Sequence, residues 1–463
     1  MDRMSAMDAA FLFGEDANSR MDIGMVLEFE GPAPTRAEVA HVISARLSAV
    51  PRYRQKVRLI PAAAALPVWI DDVGFDIDRH VFASEAGPGS ADEATFEAVG
   101  RLMSTQLDRS KPLWEAHLVT GLPQDRWLLV VRMHHGMVDG VTSAAIVSKL
   151  LTLTPDVEEL VEEEWVPAAE PSDAQLLQHA VVDNVKAAAE LSVKTAQAML
   201  KPLLKPGVLP TLPKPSDLEP LRPVAEPVLD PTLTGPVGPH RSFRHARIAL
   251  DDVKRVRAGL GGTVNDVILA MSARAFRTLL LRRGEACTGR SIRAMMPVAM
   301  KGSGGGEAPG NQISAVPVEL PVGDMTPSEC FARIHEQTAS LKVLSEAMPA
   351  PAQAQAPGFG LPVMLTLGSR MASTMPKLVD TVVSNVPGPQ QPLYLQGRRL
   401  EGVSACIALW TPMRIAVQVL SYNGTLSFAV VADRDSIPEI GWFVEGAEQA
   451  LQELLQAAEE APA

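Results

Sequence analysis

The sequence predicts an α/β (α+β) protein made of two mixed sheets, each covered by helices and joined by a long proline-rich crossover. Three observations carry this. Strand-like runs alternate with helix-period segments through residues 1–172, the alternation resumes after Arg241, and eleven prolines fall between Pro202 and Pro239. Such alternation means sheets covered by helices, and so much proline makes a stiff, extended connection rather than a packed element. With 463 residues, 46% of them hydrophobic, the chain is long enough for two cores.

Taken in order, Met25–Phe29 reads as a strand, and Thr35 with Glu38 three positions on is a capping box. Val39, Val42, Ile43 and Leu47 then form a helical apolar stripe that Pro51 stops. Ala94–Leu107 is again helical, and Glu115–Val119 and Trp127–Met133 read as strands joined by a turn near Gly121 and Asp125. An amphipathic helix over residues 173–200 opens the linker, 173–240, which divides an N-terminal unit (1–172) from a C-terminal one (241–463). In the latter, Phe243–Leu250, Ser291–Val298, Ser314–Leu320, Val379–Val383, Ala405–Leu409, Arg414–Leu420 and Leu426–Val431 are expected strands. The last two bracket the hairpin signal Tyr422-Asn423-Gly424. Asp251–Leu260, Val264–Leu281, Pro327–Leu344 and Ile437–Ala458 are expected helices, and Pro349–Pro357 a mobile surface loop.

Composition narrows the function. A net charge of -12 argues against nucleic acid. No window of 18 apolar residues suggests a spanning helix, and the N-terminus lacks the basic and apolar blocks of an export signal. Cys287, Cys330 and Cys406 are too scattered for a disulfide framework or a structural zinc site, so a reducing, cytoplasmic setting is expected.

His134-His135-Gly136-Met137-Val138-Asp139-Gly140 carries the most chemistry. It follows the apolar run 127–133 and precedes Val141, Ala144, Ala145 and Ile146 at helical spacing, so it lies at a strand-to-helix junction. Neighbours on a strand point to opposite faces, so one imidazole can face a channel while the other faces the interior. A metal site lacks a second His/Cys cluster, and a serine nucleophile lacks its Gly-x-Ser-x-Gly elbow. Two merely structural buried imidazoles are costly unless hydrogen-bonded. General base catalysis fits best, because neutral imidazole, with a reference pKa near ~6.5, is suited to taking a proton from an alcohol.

The seven residues match the HHxxxDG motif of the CoA-dependent acyltransferases of the chloramphenicol acetyltransferase-like superfamily. The whole chain resembles, more closely, the bacterial wax ester synthase/diacylglycerol acyltransferase family. Met7-Asp8-Ala9-Ala10-Phe11-Leu12 and Met21-Asp22-Ile23-Gly24 look like its opening. Pro112-Leu113-Trp114 within 108–115, Asn265-Asp266 within 262–269, Ser384-Asn385-Val386-Pro387-Gly388-Pro389, Pro392-Leu393-Tyr394 and Ser421-Tyr422-Asn423-Gly424 follow in family order. One departure is Ala299-Met300-Lys301, where the family usually continues Ser-x-Arg, and a lysine lacks the planar fork of arginine.

The resemblance implies two chloramphenicol acetyltransferase-like domains and transfer of a long-chain acyl group from acyl-CoA to diacylglycerol or a fatty alcohol. Acyl-CoA would be a co-substrate, with no bound cofactor and no metal. His135 would be the base and His134 its support from the other face, with Asn265 stabilising the oxyanion and Asp266 holding the local structure. Asp139 would pair with an arginine, Arg293 and Arg414 being the candidates, while Gly136 and Gly140 allow close backbone approach. Pro112, Leu113 and Trp114 would pack beside the substrate channel, and Ser384 and Asn385 would line its acceptor side. Plainer roles stay open: a helix cap for Asp139 and for Asn265-Asp266, and a turn for Ser384-Asn385. The resemblance also implies peripheral contact with the inner face of the membrane or with lipid droplets, and the stretch Val181–Leu204 is the segment considered for it. Gly302–Gly306 lacks the context of a phosphate cradle and reads as a surface turn. Two other functions remain: a condensation-type or polyketide-associated acyltransferase using a carrier-bound donor, and a non-catalytic lipid-binding protein. Acceptor preference, acyl chain length and oligomeric state are not legible in the sequence.

Overall fold

The computed structural model describes residues 1–137, 149–184, 230–299, 313–347 and 379–460. Val138, Asp139 and Gly140, the helix expected to follow them, most of the proline-rich crossover, Met300 to Gly306 and Pro349–Pro357 lie outside the described residues.

In the N-terminal half the elements are β1 (Asp2–Arg3), α1 (Ala6–Gly14), β2 (Asp22–Glu30), α2 (Arg36–Arg46), β3 (Gln55–Arg58), β4 (Val68–Asp71), β5 (Val81–Glu85), α3 (Ala91–Leu102), β6 (Trp114–Leu122) and β7 (Arg126–His134). Residues 173–184 are helical (α4), and the rest of the helix expected over 173–200 lies outside the described residues. The C-terminal half contains β8 (Arg241–Ala249), α5 (Leu250–Leu260), α6 (Val264–Arg282), β9 (Ser291–Ala299), β10 (Ile313–Pro321), α7 (Pro327–Ala347), β11 (Thr381–Pro387), β12 (Tyr394–Leu395), β13 (Arg398–Cys406), β14 (Ile415–Tyr422), β15 (Thr425–Asp433) and α8 (Ile440–Glu459).

Two six-stranded mixed sheets form the frame, one in the order β12-β13-β2-β7-β6-β5 and the other β10-β9-β11-β14-β15-β8. The first explains the strand assignments at both ends of the chain. Strand β7 is buried along almost its whole length because β2 and β6 flank it antiparallel on either side. The helix α2 starts at the capping box read from the sequence, with Thr35 and Glu38 satisfying each other's backbone N–H groups.

The chain does not divide its strands between the sheets at the crossover. Strands β12 and β13 come from the C-terminal half yet complete the N-terminal sheet, with Leu400 to Cys406 pairing antiparallel to Phe29 to Gly24. This corrects the strand expected at Ala405–Leu409: the segment begins earlier, at Arg398, because its partner is β2, which no local pattern announces. The helix expected over Ala94–Leu107 ends at Leu102, where the Ser104 hydroxyl donates back to the Gly100 carbonyl and the Thr105 hydroxyl to that of Leu102.

A helix-covered core fills the C-terminal half, with Phe276, Phe428 and Phe443 fully buried between α6, α8 and β15. The N-terminal core gathers Phe29, Trp114 and Trp127. A third cluster brings Val26, Leu128 and Val130 together with Phe243, Ala416 and Val431, so apolar side chains of the two sheets pack on each other. Helix α3 also crosses from one half to the other. A Cβ on Gly100 would lie 2.8 Å from the Arg241 carbonyl oxygen, so only glycine lets the helix approach the edge strand β8 so closely. On the far side, Leu176 and Ala180 of α4 bury against Ile60, Val68 and Ile70, covering the small β1-β4-β3 sheet.

Candidate active site

The two histidines end β7, and their backbones are pinned from both sides. The His134 N–H donates to the Leu113 carbonyl at 3.0 Å, and the His135 N–H to the Met21 carbonyl at 2.7 Å. A turn comes at once, closed by the Met137 N–H donating to the His134 carbonyl at 2.9 Å. His134 is 1% exposed, while His135 is only half-buried.

Helix α1 lies across this turn. Ser5 caps it, accepting the Asp8 N–H at 3.1 Å, and the helix buries Ala9 and Leu12 in the core. Its Phe11 ring stacks on the His135 imidazole, centroids 4.1 Å apart and planes at 13°. At Gly136 a Cβ would sit 2.7 Å from the Asp8 carbonyl oxygen, so the helix and the turn touch through bare backbone. Gly136→Ala is therefore expected to push α1 off the turn and lower turnover about 10- to 100-fold, since small displacements of a reacting group are costly. Steady-state kinetics on the folded variant check this; unchanged turnover would show that the contact is slack.

Past the end of α1, Glu15 turns back into the protein, its side chain 1% exposed. Its Oε2 accepts from Arg109 Nε at 2.8 Å and lies 3.5 Å from His134 Nε2. Burial alone would push this carboxyl up, but His134 and Arg109 outweigh it and hold Glu15 below the ordinary carboxylate range. Its stabilising contribution is thus complete at neutral pH and is lost as the pH falls through that lowered value. Sequence reasoning missed Glu15, and its only signal was its place just after the family-like opening Met7–Leu12.

Beneath the histidines, Arg132 is fully buried and pairs with Asp22, while Thr105 Oγ1 accepts from it at 2.7 Å and Glu115 Oε2 lies 3.4 Å away. Asp22 faces His134 across the β2–β7 register. Burial pushes the Asp22 carboxyl up even against the pull of Arg132, so the pair is held at a desolvation cost. Pro112, Leu113 and Trp114 lie buried at the start of β6, Leu113 being the residue that receives the His134 N–H. The Trp114 Nε1 donates to the Tyr53 carbonyl at 2.8 Å, and its ring stacks on His80 with centroids 4.6 Å apart. Burial pulls His80 down to about 4, so it stays neutral there. The structure thus places the Pro-Leu-Trp segment under the histidine strand, inside the core.

In the other half, Thr263 caps α6 in a capping box with Asp266. Asp266 is 1% exposed and also holds α7, accepting from Thr338 Oγ1 at 2.6 Å and lying 2.9 Å from His335 Nδ1. Asn265, next to it, is exposed, and its Oδ1 accepts from Asn385 Nδ2 at 2.7 Å. The structure therefore brings Asn265 and Asn385 together at the ends of α6 and β11, with Ser384 buried beside them. Of the arginines considered for Asp139, Arg414 donates to the carbonyls of Pro231, Thr232 and Pro236, and Arg293 lies 3.9 Å from Asp380. Asp139 and Gly140 lie outside the described residues, as does Lys301. Among the described residues no group of three or more His, Cys, Asp or Glu is placed to hold a metal ion.

Comparison with known proteins gives the family. Residues 4–268 match the model of the wax ester synthase/diacylglycerol acyltransferase catalytic domain, and residues 309–455 that of the family's C-terminal domain. A probable diacylglycerol O-acyltransferase of Mycobacterium tuberculosis is 29% identical, the alignment covering 99% of each chain. A second from that organism is 27% identical over 98% of this chain and 96% of its own. Among solved structures, a wax ester synthase/diacylglycerol acyltransferase from Marinobacter aquaeolei superposes with a TM-score of 0.70 at 22% identity, covering 99% of this chain and all 100% of that one. The first condensation domain of the calcium-dependent antibiotic synthetase shares the fold with a TM-score of 0.59 at 13% identity, over 100% of this chain and 97% of its own. With more than half of its length inside the catalytic-domain model, the chain belongs to the wax ester synthase/diacylglycerol acyltransferase family.

Proposed function

We propose that this protein transfers a long-chain acyl group from acyl-CoA to the hydroxyl of diacylglycerol or of a long-chain alcohol, with His135 as the general base. The observation that carries the reading is His135 itself: half-buried, stacked under Phe11, and fixed at the end of a fully flanked strand. The imidazole takes the hydroxyl proton as the alcohol oxygen bonds to the thioester carbon. The tetrahedral oxyanion then collapses, the carbon–sulfur bond breaks, and the proton returns to the CoA thiolate. Asn265 suits the oxyanion role, because Asn385 occupies its Oδ1 and leaves its amide N–H2 as the group to donate. His134 supports the turn from the buried side, and Asp139 and Gly140 are assigned to structural support of the site.

Both acceptors reside in lipid, so the protein works at a lipid surface. No helix among the described residues is long and apolar enough to cross a membrane. Val157, Val161 and Val166 are exposed ahead of α4 and Val181 on it, which supports peripheral contact with a membrane or lipid droplet.

The acceptor is tested by competition: one acyl-CoA with equal diolein and hexadecanol, the products resolved as triacylglycerol and wax ester. Both products are expected, with triacylglycerol modestly ahead. Wax ester alone would reject the diacylglycerol preference. No product from free acyl-CoA, with transfer from a carrier-bound donor, would favour the condensation-type reading.

A further inference from the structure

We propose that Glu15 is a positioning residue for acyl transfer, acting through His134 on the turn that presents His135. The proposal rests on the assignment of His135 as the base. The contacts run in one direction. The Gly136 N–H donates to His134 Nδ1 at 3.0 Å, so that nitrogen is an acceptor and the proton of the neutral ring sits on Nε2. Nε2 faces Glu15 Oε2 at 3.5 Å, and the same oxygen accepts from Arg109 Nε at 2.8 Å. His134 Nε2 and Glu15 Oε1 are both buried, and neither makes another hydrogen bond among the described residues, so the 3.5 Å approach to Oε2 is what Nε2 meets.

The chain from Arg109 through Glu15 and His134 therefore ends on the N–H of Gly136, which belongs to the peptide just after His135. The N–H of His135 itself, on the peptide before it, is already held by the Met21 carbonyl. With both flanking peptides oriented, the direction in which His135 projects is set, and Phe11 sets the face of its ring. Phe11 and Glu15 come from one helix and its first following residue, so α1 acts on both histidines at once. A carboxylate in a site this buried is a poor choice for packing alone, because its desolvation is offset only by partners such as these. An apolar residue would fill the same space without that cost, but it would leave the buried His134 Nε2–H facing no acceptor and the tautomer held by the Gly136 N–H alone.

The test compares Glu15→Ala, Glu15→Gln and His135→Ala in the full-length protein. With palmitoyl-CoA and diolein, Glu15→Ala should lower kcat roughly 10- to 100-fold, as expected for a misplaced reacting group, and leave the KM for palmitoyl-CoA unchanged. Glu15→Gln should restore most of kcat, since the amide oxygen can replace Oε2 as acceptor. Nitrogen NMR of labelled histidine, with His134 assigned by its loss in His134→Gln, should show the Nε2–H tautomer in the native protein and in Glu15→Gln. In Glu15→Ala it should show a mixture. Native kcat in folded Glu15→Ala, equal loss in both Glu15 variants, an Nδ1–H tautomer in the native protein, or a raised KM with kcat intact would each overturn the proposal. An active His135→Ala would strike the base assignment instead, because the tautomer signal does not depend on turnover.

Discussion

Replacement of His135 by alanine is expected to lower acyl transfer about 100- to 10,000-fold, the usual worth of a general base, while the protein stays folded. The side chain is only half-buried, and its loss opens space under Phe11. The backbone bonds to Met21 and within the turn need no imidazole, so β7 keeps its place. The measurement is release of free CoA thiol with diolein as acceptor, alongside circular dichroism. Folded His135→Ala with near-native turnover would remove His135 from the mechanism.

The largest effect on stability should come from Asp22→Ala. It leaves the fully buried Arg132 without its main carboxylate, and a buried charge deprived of its partner typically costs about 3 to 5 kcal/mol. Thr105 and Glu115 still hold the guanidinium, which places the expected loss near the lower end of that range. Because Asp22 is the β2 residue opposite His134, turnover should fall as well. Urea unfolding of Asp22→Ala, Arg132→Met and the double variant checks this through the coupling energy. The double variant should recover most of the stability. A single variant within about 1 kcal/mol of native would mean that the pair is dispensable, as exposed pairs usually are.

How much of this protein its sequence reveals depends on the distance over which each feature is decided. The buried run 127–133 and the capping box of Thr35 with Glu38 were legible, because hydrophobic period and cap chemistry act within a few residues; the cap considered at Asn265-Asp266 falls instead on Thr263, with Asp266 as its capping-box partner. The first part of the motif, His134 to Met137, was legible for the same reason, since the turn follows directly on the buried strand. Family resemblance added the reaction, which no local pattern supplies.

What the tertiary structure alone decided is the set of partners. Glu15 meets Arg109 across 94 positions of sequence, and Arg132 meets Asp22 across 110. Neither residue differs in type or spacing from the many surface acids and arginines, so only folding shows which charges are buried and paired. Strand β13 joins the N-terminal sheet for a similar reason: its alternation specifies a strand but not a neighbour, and β2 becomes available to it only once the halves pack. The sequence by itself determined the local elements and the chemistry of the motif, whose energies are set by adjacent residues. The tertiary structure decided how the base is aimed, because that depends on contacts between segments that meet only in the folded chain.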